Sequence, residues 1–234
     1  MIEKDSKFET PTVQVYCRKP SLGESKALLD MGVELVAWDV RPDDGKGLLI
    51  SRMIRDQIRD AGMTSTLLVH SRKIAQLVTI AKMVQPDYLL MSSDRDDSKM
   101  IELARLIQPH SKLMMSVPVV PVGESASFDS VSLAKEYSEY AGALTVDTCL
   151  TKSAKVFGCT GVVNDWKVCK QIIDSVDIPV VLAGGLNSTN IVDAIKTVNP
   201  EIVDACTSLE LGDKSKDLGL CQEFYEKVKQ AYDQ

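Results

Sequence analysis

The sequence predicts an α/β protein built as a single (β/α)8 TIM barrel, and three observations carry that prediction. Short apolar runs with strand character alternate with segments of helical apolar spacing, and the alternation never breaks into a cluster of either kind. The count of such units, eight of each, closes a barrel with little chain left over. Polar or glycine-bearing groups stand just where the later apolar runs stop, as at Asp147-Thr148, Ala183-Gly184-Gly185-Leu186-Asn187 and Val203-Asp204. Functional groups placed at the ends of parallel barrel strands all face one rim.

Taken in order, the first strand runs from Val13 to Cys17 and stops at Arg18-Lys19-Pro20, with a helix from Leu22 to Met31. The next pairs are Leu35 to Val40 with Leu49 to Ala61, Ser65 to Val69 with Ser71 to Val84, and Tyr88 to Met91 with Ser98 to Ile107. The second half gives Leu113 to Val120 with Ser130 to Tyr140, and Ala143 to Val146 with Trp166 to Val176. Val180 to Ala183 with Asn190 to Val198, and Ile202 to Ala205 with Leu218 to Tyr232, complete the set. Strands separated by helices pair in parallel through right-handed crossovers. An open doubly wound sheet is the competing arrangement, but its G-x-G-x-x-G fingerprint is missing from the turn after the first strand. No linker or low-complexity stretch divides the chain, so residues 11–234 are expected to form one domain behind a flexible arm of residues 1–10.

Bulk properties exclude several classes of protein. A chain of 234 residues with 44% apolar and 26% charged content has the balance of a soluble globular domain. A net charge of −6 gives no basic face for a nucleic-acid backbone. No window approaches the ~18 apolar residues of a membrane span, and the polar start from Met1 to Thr10 is not a secretory signal. The six cysteines contain no C-x-x-C spacing and only His70 and His110 are available beside them, so reduced thiols in a cytoplasmic setting are expected, without a metal site.

Two turns have the composition of a phosphate cradle. Gly184 and Gly185 follow the seventh strand, where backbone N–H groups approach an oxyanion unhindered and the next helix adds positive potential. Cys206 and Thr207 follow the eighth, and barrels commonly hold a phosphate between these two loops. A third turn, Gly158-Cys159-Thr160-Gly161, belongs to a long polar loop from Thr148 to Asp165 that also carries Lys152 and Lys155. Loops longer than about 12 residues in compact domains are commonly functional, and Gly158, Thr160 and Gly161 are read as part of a lid over an anionic ligand.

These residues resemble the phosphoribosylanthranilate isomerase family of tryptophan biosynthesis. The family pattern has a strand ending in Asp-Ser/Thr, then Gly-Gly-Thr-Gly, Phe-Asp-Trp, Pro-Val-x-Leu-Ala-Gly-Gly-Leu-x-x-x-Asn-Val and Val-Asp-Val-Ser-Ser-Gly-Val-Glu. In the same order this chain has Asp147-Thr148, Gly158-Cys159-Thr160-Gly161, Asn164-Asp165-Trp166, Pro179 to Ile191 and Val203 to Glu210. The family's opening Lys-Ile-Cys-Gly corresponds to Val15-Tyr16-Cys17-Arg18, which keeps the cysteine and loses the lysine and the glycine. Between Leu35 and Val120 the match fades to architecture. The family's arginine after strand two falls near Leu48, and Met91-Ser92-Ser93-Asp94 replaces Gln-Leu-His-Gly.

The resemblance implies an Amadori rearrangement of N-(5′-phosphoribosyl)anthranilate, which needs an acid at the furanose oxygen and a base at C2′. It assigns the acid to Asp147 and the base to Cys17; from the residues themselves, Arg18 and Lys19 directly after the cysteine are expected to favour its thiolate. A phosphosugar substrate without metal or organic cofactor is expected, with no nucleic acid or membrane partner, as a monomer or homodimer. Arg41, Lys46 and Arg52 lie in or near the loop after strand two, and Arg41, closest to the strand end, is the first candidate for the substrate carboxylate. A barrel acting on another phosphosugar, or a non-catalytic phosphate-binding relative, are the alternative readings.

Overall fold

A computed structural model describes residues 11–92, 97–150 and 158–231. Eight parallel strands, β1 (Thr12–Cys17), β2 (Leu35–Val40), β3 (Thr64–Val69), β4 (Tyr88–Met91), β5 (Lys112–Val119), β6 (Ala143–Thr148), β7 (Val180–Leu182) and β8 (Ile202–Ala205), follow one another around a closed barrel. β8 returns to β1 with Gln14 opposite Asp204, which seals the cylinder. The helices are α1 (Leu22–Met31), α2 (Gly45–Asp60), α3 (Ile74–Val84), α4 (Asp97–Ile107), α5 (Ser130–Ser138), α6 (Trp166–Ser175), α7 (Ile191–Val198) and α8 (Leu218–Gln230). A short 3₁₀ turn, Thr207–Leu209, follows β8. The arm predicted over residues 1–10 lies outside the described residues.

Alternation along each strand divides the apolar residues between two layers. The large outer layer packs strands against helices and takes Val13, Val15, Trp38, Leu67 and Phe224, among others. The barrel interior holds a smaller set, including Tyr16, Ala37, Tyr88, Leu90, Met114 and Val181. Polar side chains are also buried on the inner face: Gln14 donates to Asp204 Oδ1 at 3.0 Å and accepts from Thr66 Oγ1 at 3.4 Å. The Gln14–Asp204 bond links residues 190 positions apart in sequence.

Helix starts follow capping chemistry. Ser21, Asp44, Asp129, Asp165 and Asp217 each accept a hydrogen bond from a backbone N–H of the first turn. Asp44 explains why α2 begins at Gly45, earlier than the predicted Leu49: its carboxylate accepts from Gly47 N at 2.8 Å, so a glycine-bearing stretch that reads as a turn is helical. α3 begins later than predicted because Ser71 Oγ accepts from Lys73 N and bonds Gln76, a side-chain turn in front of the helix. β6 extends two residues further than expected, so Asp147 stands within the strand, opposite Pro118.

Candidate active site

The C-terminal strand ends surround a cavity of about 300 Å³. Its floor is formed by inward side chains of the barrel, among them Gln14, Tyr16, Ser116, Thr145, Asp147 and Asp204. Its wall comes from the loops after β6, β7 and β8.

Asp147 shares its inward phase with Thr145 on β6. Its Oδ1 accepts from Thr148 N at 2.7 Å, and the part of the side chain that is not covered faces the cavity. Enclosure by protein pushes its pKa up to about 7, against the opposing Thr148 N–H and with the aid of the Asp204 charge. Asp204, inward on β8, is only 7% exposed. Burial raises its pKa to about 6, while the Gln14 amide and the Lys216 ammonium oppose the rise. Two carboxyl groups in one cavity are therefore both raised, Asp147 to about 7 and Asp204 to about 6, and a difference in this order is the pattern that separates an acid from a base. Because their charges interact, the two values belong to the pair as much as to either residue.

The phosphate candidates come together. Gly184 and Gly185 have φ of +94° and +67°, and a Cβ at Gly184 would stand 2.4 Å from Asn164 Nδ2 and 2.5 Å from Thr148 Oγ1. A Cβ at Gly185 would stand 2.6 Å from the backbone of Val162 and Val163, so both positions demand glycine for conformation and for space. Asn187 and Asn190 lock this loop: Asn187 Oδ1 accepts from Thr189 N and Asn190 N, and Asn190 Oδ1 accepts from Asn187 N. Ser208 Oγ donates to Leu186 O at 2.6 Å and ties the β7 and β8 loops together. Thr207 lines the cavity, and its buried Oγ1 has no protein partner. Cys206 also lines it, half-buried, with its Sγ 3.5 Å from Cys159 Sγ.

Gly158, Thr160 and Gly161 form the third wall. Gly158 N donates to Thr148 O, Thr148 Oγ1 donates to Val162 O at 2.6 Å, and Gly161 lies against Thr207. Buried Asn164 closes the segment by donating to Ala183 O at 3.0 Å. Lys152 and Lys155 lie outside the described residues.

Cys17 is not part of the cavity, which corrects the pairing with Asp147. Gln14 and Tyr16 take the inward phase of β1, so Cys17 points outward into the strand–helix layer, where it is 2% exposed. Burial pushes its thiol pKa well up, and nearby Glu24 adds to the rise while Lys216 opposes it. Arg18, expected to favour a thiolate there, turns to Glu210 and forms a two-pronged ion pair. Lys19 lies 3.8 Å from Asp213 at the surface. Arg41 is exposed at the start of the β2 loop and does not line the cavity; Lys46 and Arg52 are likewise exposed on α2. Among the described residues, no lysine, arginine or histidine lines it. Sequence reasoning missed Gln14, Tyr16, Ser116 and Thr145, whose only signal was polarity or a hydroxyl inside otherwise apolar strands.

A closed parallel barrel with buried carboxyl groups and a glycine cradle at its C-terminal rim defines the class: an enzyme-type (β/α)8 barrel. Residues 92–227 match the family model for N-(5′-phosphoribosyl)anthranilate isomerase, and the chain belongs to that family. The N-(5′-phosphoribosyl)anthranilate isomerase of Methanocella arvoryzae is 36% identical over 113 residues, covering 48% of this chain and 50% of the relative. The chain thus spans about half the length of the curated relatives it matches. The fold matches the phosphoribosylanthranilate isomerase of Thermotoga maritima with a TM-score of 0.73 at 20% identity, over 94% of this chain and 98% of the other. A further isomerase structure, in complex with reduced 1-(o-carboxyphenylamino)-1-deoxyribulose 5-phosphate, matches with a TM-score of 0.71 at 19% identity, over 94% and 98%.

Proposed function

We propose that the chain catalyses the Amadori rearrangement of N-(5′-phosphoribosyl)anthranilate to 1-(2-carboxyphenylamino)-1-deoxyribulose 5-phosphate, in tryptophan biosynthesis and in the cytoplasm. The observation that carries the reading is the pair of enclosed carboxyl groups, Asp147 and Asp204, beside a glycine cradle. Family membership and the ligand held by a solved relative support the same substrate class.

In this mechanism the phosphate rests on the Gly184 and Gly185 backbone and the Thr207 hydroxyl, which fixes the ribose over the barrel. Asp147, whose enclosure keeps a large protonated fraction near neutral pH, gives its proton to the furanose oxygen as the C1′–O bond breaks. The nitrogen lone pair forms the C1′=N bond of a Schiff base. A carboxylate at Asp204 then takes the C2′ proton, and the electrons of that bond form the enolamine. Asp204 then returns the proton to C1′ while the C2′ hydroxyl gives its proton to the Asp147 carboxylate, which yields the aminoketose and restores both groups. Atoms balance within the substrate, and no cofactor is required. Asp204 takes the role that the resemblance gave to Cys17, because an acid and its base must share one cavity.

The test is turnover of freshly generated phosphoribosylanthranilate, followed by loss of its fluorescence. The parent is expected to consume it and Asp147→Asn to lose that activity by about 10²-fold or more. Unchanged turnover in Asp147→Asn would remove the acid assignment.

One observation favours a second reading, in which the phosphosugar carries a different second half. Among the described residues no cation lines the cavity to meet an aromatic carboxylate. Instead Asp39 has the inward phase of Ala37 on β2, its charge reaches Tyr16, it lies 2.7 Å from His70 Nε2, and its buried Oδ1 has no partner. A panel of N-ribosyl 5-phosphates with neutral, acidic and basic amine halves separates the two: preference for the anthranilate compound supports the first, preference for a neutral or basic half the second.

A further inference from the structure

The Sγ atoms of Cys159 and Cys206 lie 3.5 Å apart although the residues are 47 positions apart in sequence. Both thiols line the cavity and pack against the interior cluster that contains Tyr16. Neither belongs to the motifs the chain otherwise follows: Cys159 replaces the second glycine of Gly-Gly-Thr-Gly, and Cys206 replaces the first serine of Val-Asp-Val-Ser-Ser-Gly. The two departures meet in space. Cys159 keeps the left-handed backbone of a glycine, φ +49°, at a cost of order 1 kcal/mol for a side-chain-bearing residue. That conformation aims its side chain at the β8 loop.

A buried cation stands beside the pair. The Lys216 ammonium, itself buried, donates to Cys206 O at 2.9 Å and lies 3.8 Å from Cys206 Sγ. The Arg18 guanidinium also feels both thiols. The bond from Cys159 and burial push the Cys206 thiol pKa well up, and the Lys216 ammonium opposes that rise, lowering the cost of the thiolate that exchange requires.

We propose that Cys159 and Cys206 form a reversible disulfide that pins the 158–161 segment to the end of β8 and shuts the phosphate side of the cavity. The oxidant is a small-molecule disulfide. Cys159, as thiolate, attacks one of its sulfurs and expels one small thiolate, leaving a mixed disulfide. Cys206, having lost its proton to solvent, attacks Cys159 Sγ and expels the second. The protein loses two protons and two electrons, and one disulfide becomes two thiols. The bond needs the sulfurs to close from 3.5 Å to about 2.05 Å. The functional consequence rests on the phosphate reading above; the bond itself does not.

The experiment treats the full chain with glutathione disulfide, alkylates residual thiols, and compares it with the reduced chain. The expected product is two hydrogens lighter, carries two fewer alkyl groups, and yields a tryptic peptide joining Cys159 to Cys206. Inorganic phosphate is expected to raise the melting temperature of the reduced form and to lose that effect on the oxidised form, with recovery on adding dithiothreitol. In Cys159→Ala, the phosphate response, whatever its size, is expected to be the same with and without oxidant. Absence of the joined peptide, or a bond formed by other cysteines, overturns the proposal. So does a joined form that answers phosphate as the reduced form does. If phosphate moves neither form while the peptide is found, the phosphate reading has failed and the gate falls with it.

Discussion

Gly158 stands directly against the Asp147 carboxyl group: a Cβ on Gly158 would lie 2.7 Å from Asp147 Oδ2. The backbone there has φ +75°, so conformation and space both exclude a side chain. The close approach keeps water off one face of the carboxyl group and contributes to its raised pKa. Gly158→Ala is therefore expected to lower kcat/KM by at least about tenfold and stability by about 1–2 kcal/mol, read by steady-state fluorescence and thermal melting. A variant with parental kinetics would show that this wall yields without consequence.

The pH–rate profile follows from the two carboxyl groups. Asp204 must be ionised to act as base, so kcat/KM is expected to climb as pH rises through about 6. Asp147 must be protonated to act as acid, so it is expected to fall above about 7. A narrow bell centred between these values is the outcome, and Asp204→Asn should remove the acid limb along with most of the activity. A flat profile from pH 5 to 8 would contradict both roles.

Stability moves in the opposite sense to the usual surface aspartate. A carboxyl group whose folded pKa is raised from 3.8 to about 7 gives stability that is complete below the unfolded value and is lost as pH rises through the folded one. Above pH 7 the parent carries an enclosed, ionised Asp147, whereas Asp147→Asn does not. The variant is expected to melt higher than the parent at pH 8, by on the order of 2 kcal/mol after allowance for the face turned to the cavity, and the gap should vanish towards pH 4. Paired melts across that range check it.

Cys17 offers the converse test. It packs outside the barrel interior, so Cys17→Ala should reduce stability by about 1–2 kcal/mol through lost packing while changing kcat by less than about twofold. A collapse of kcat at full folding would restore the thiol to the chemistry.

Thr207 has a hydroxyl with no protein partner beside the glycine cradle. If it serves the phosphate, Thr207→Ala should raise KM about tenfold and leave kcat nearly unchanged, since the contact holds through the reaction. Melting shifts with inorganic phosphate provide the independent readout.

The architecture was legible because each strand stops at a polar or glycine turn, and Asp147 was legible for the same reason. Cys17 was not. Positions 13 to 17 of β1 are buried on both faces, so the period-two contrast that would reveal which side chains point inward is missing from the sequence. Anchoring that strand on its cysteine places it one residue out of phase, and a slip of one residue turns every side chain to the opposite face. The inward set, Gln14 and Tyr16, shows only once β1 is paired with β8. Arg41 failed for another reason: proximity to a strand end in sequence says nothing about the course of the loop, and here Arg41 leaves the rim for solvent. The role of Gly158 as a wall for Asp147 was equally unreadable, because it depends on a contact between a loop and a strand.

The seam between β1 and β8 also bears on how the molecule comes into being. Gln14 waits for Asp204, and Arg18 waits for Glu210, each across at least 190 residues of chain. On the ribosome, a nascent chain that has reached residue 200 contains β1 to β7, yet it lacks Asp204 and the β8 side of the closing seam. Such a chain has an open sheet with two unpaired edges and a cavity that lacks its β8 wall, so the site is completed in a single late step rather than by degrees.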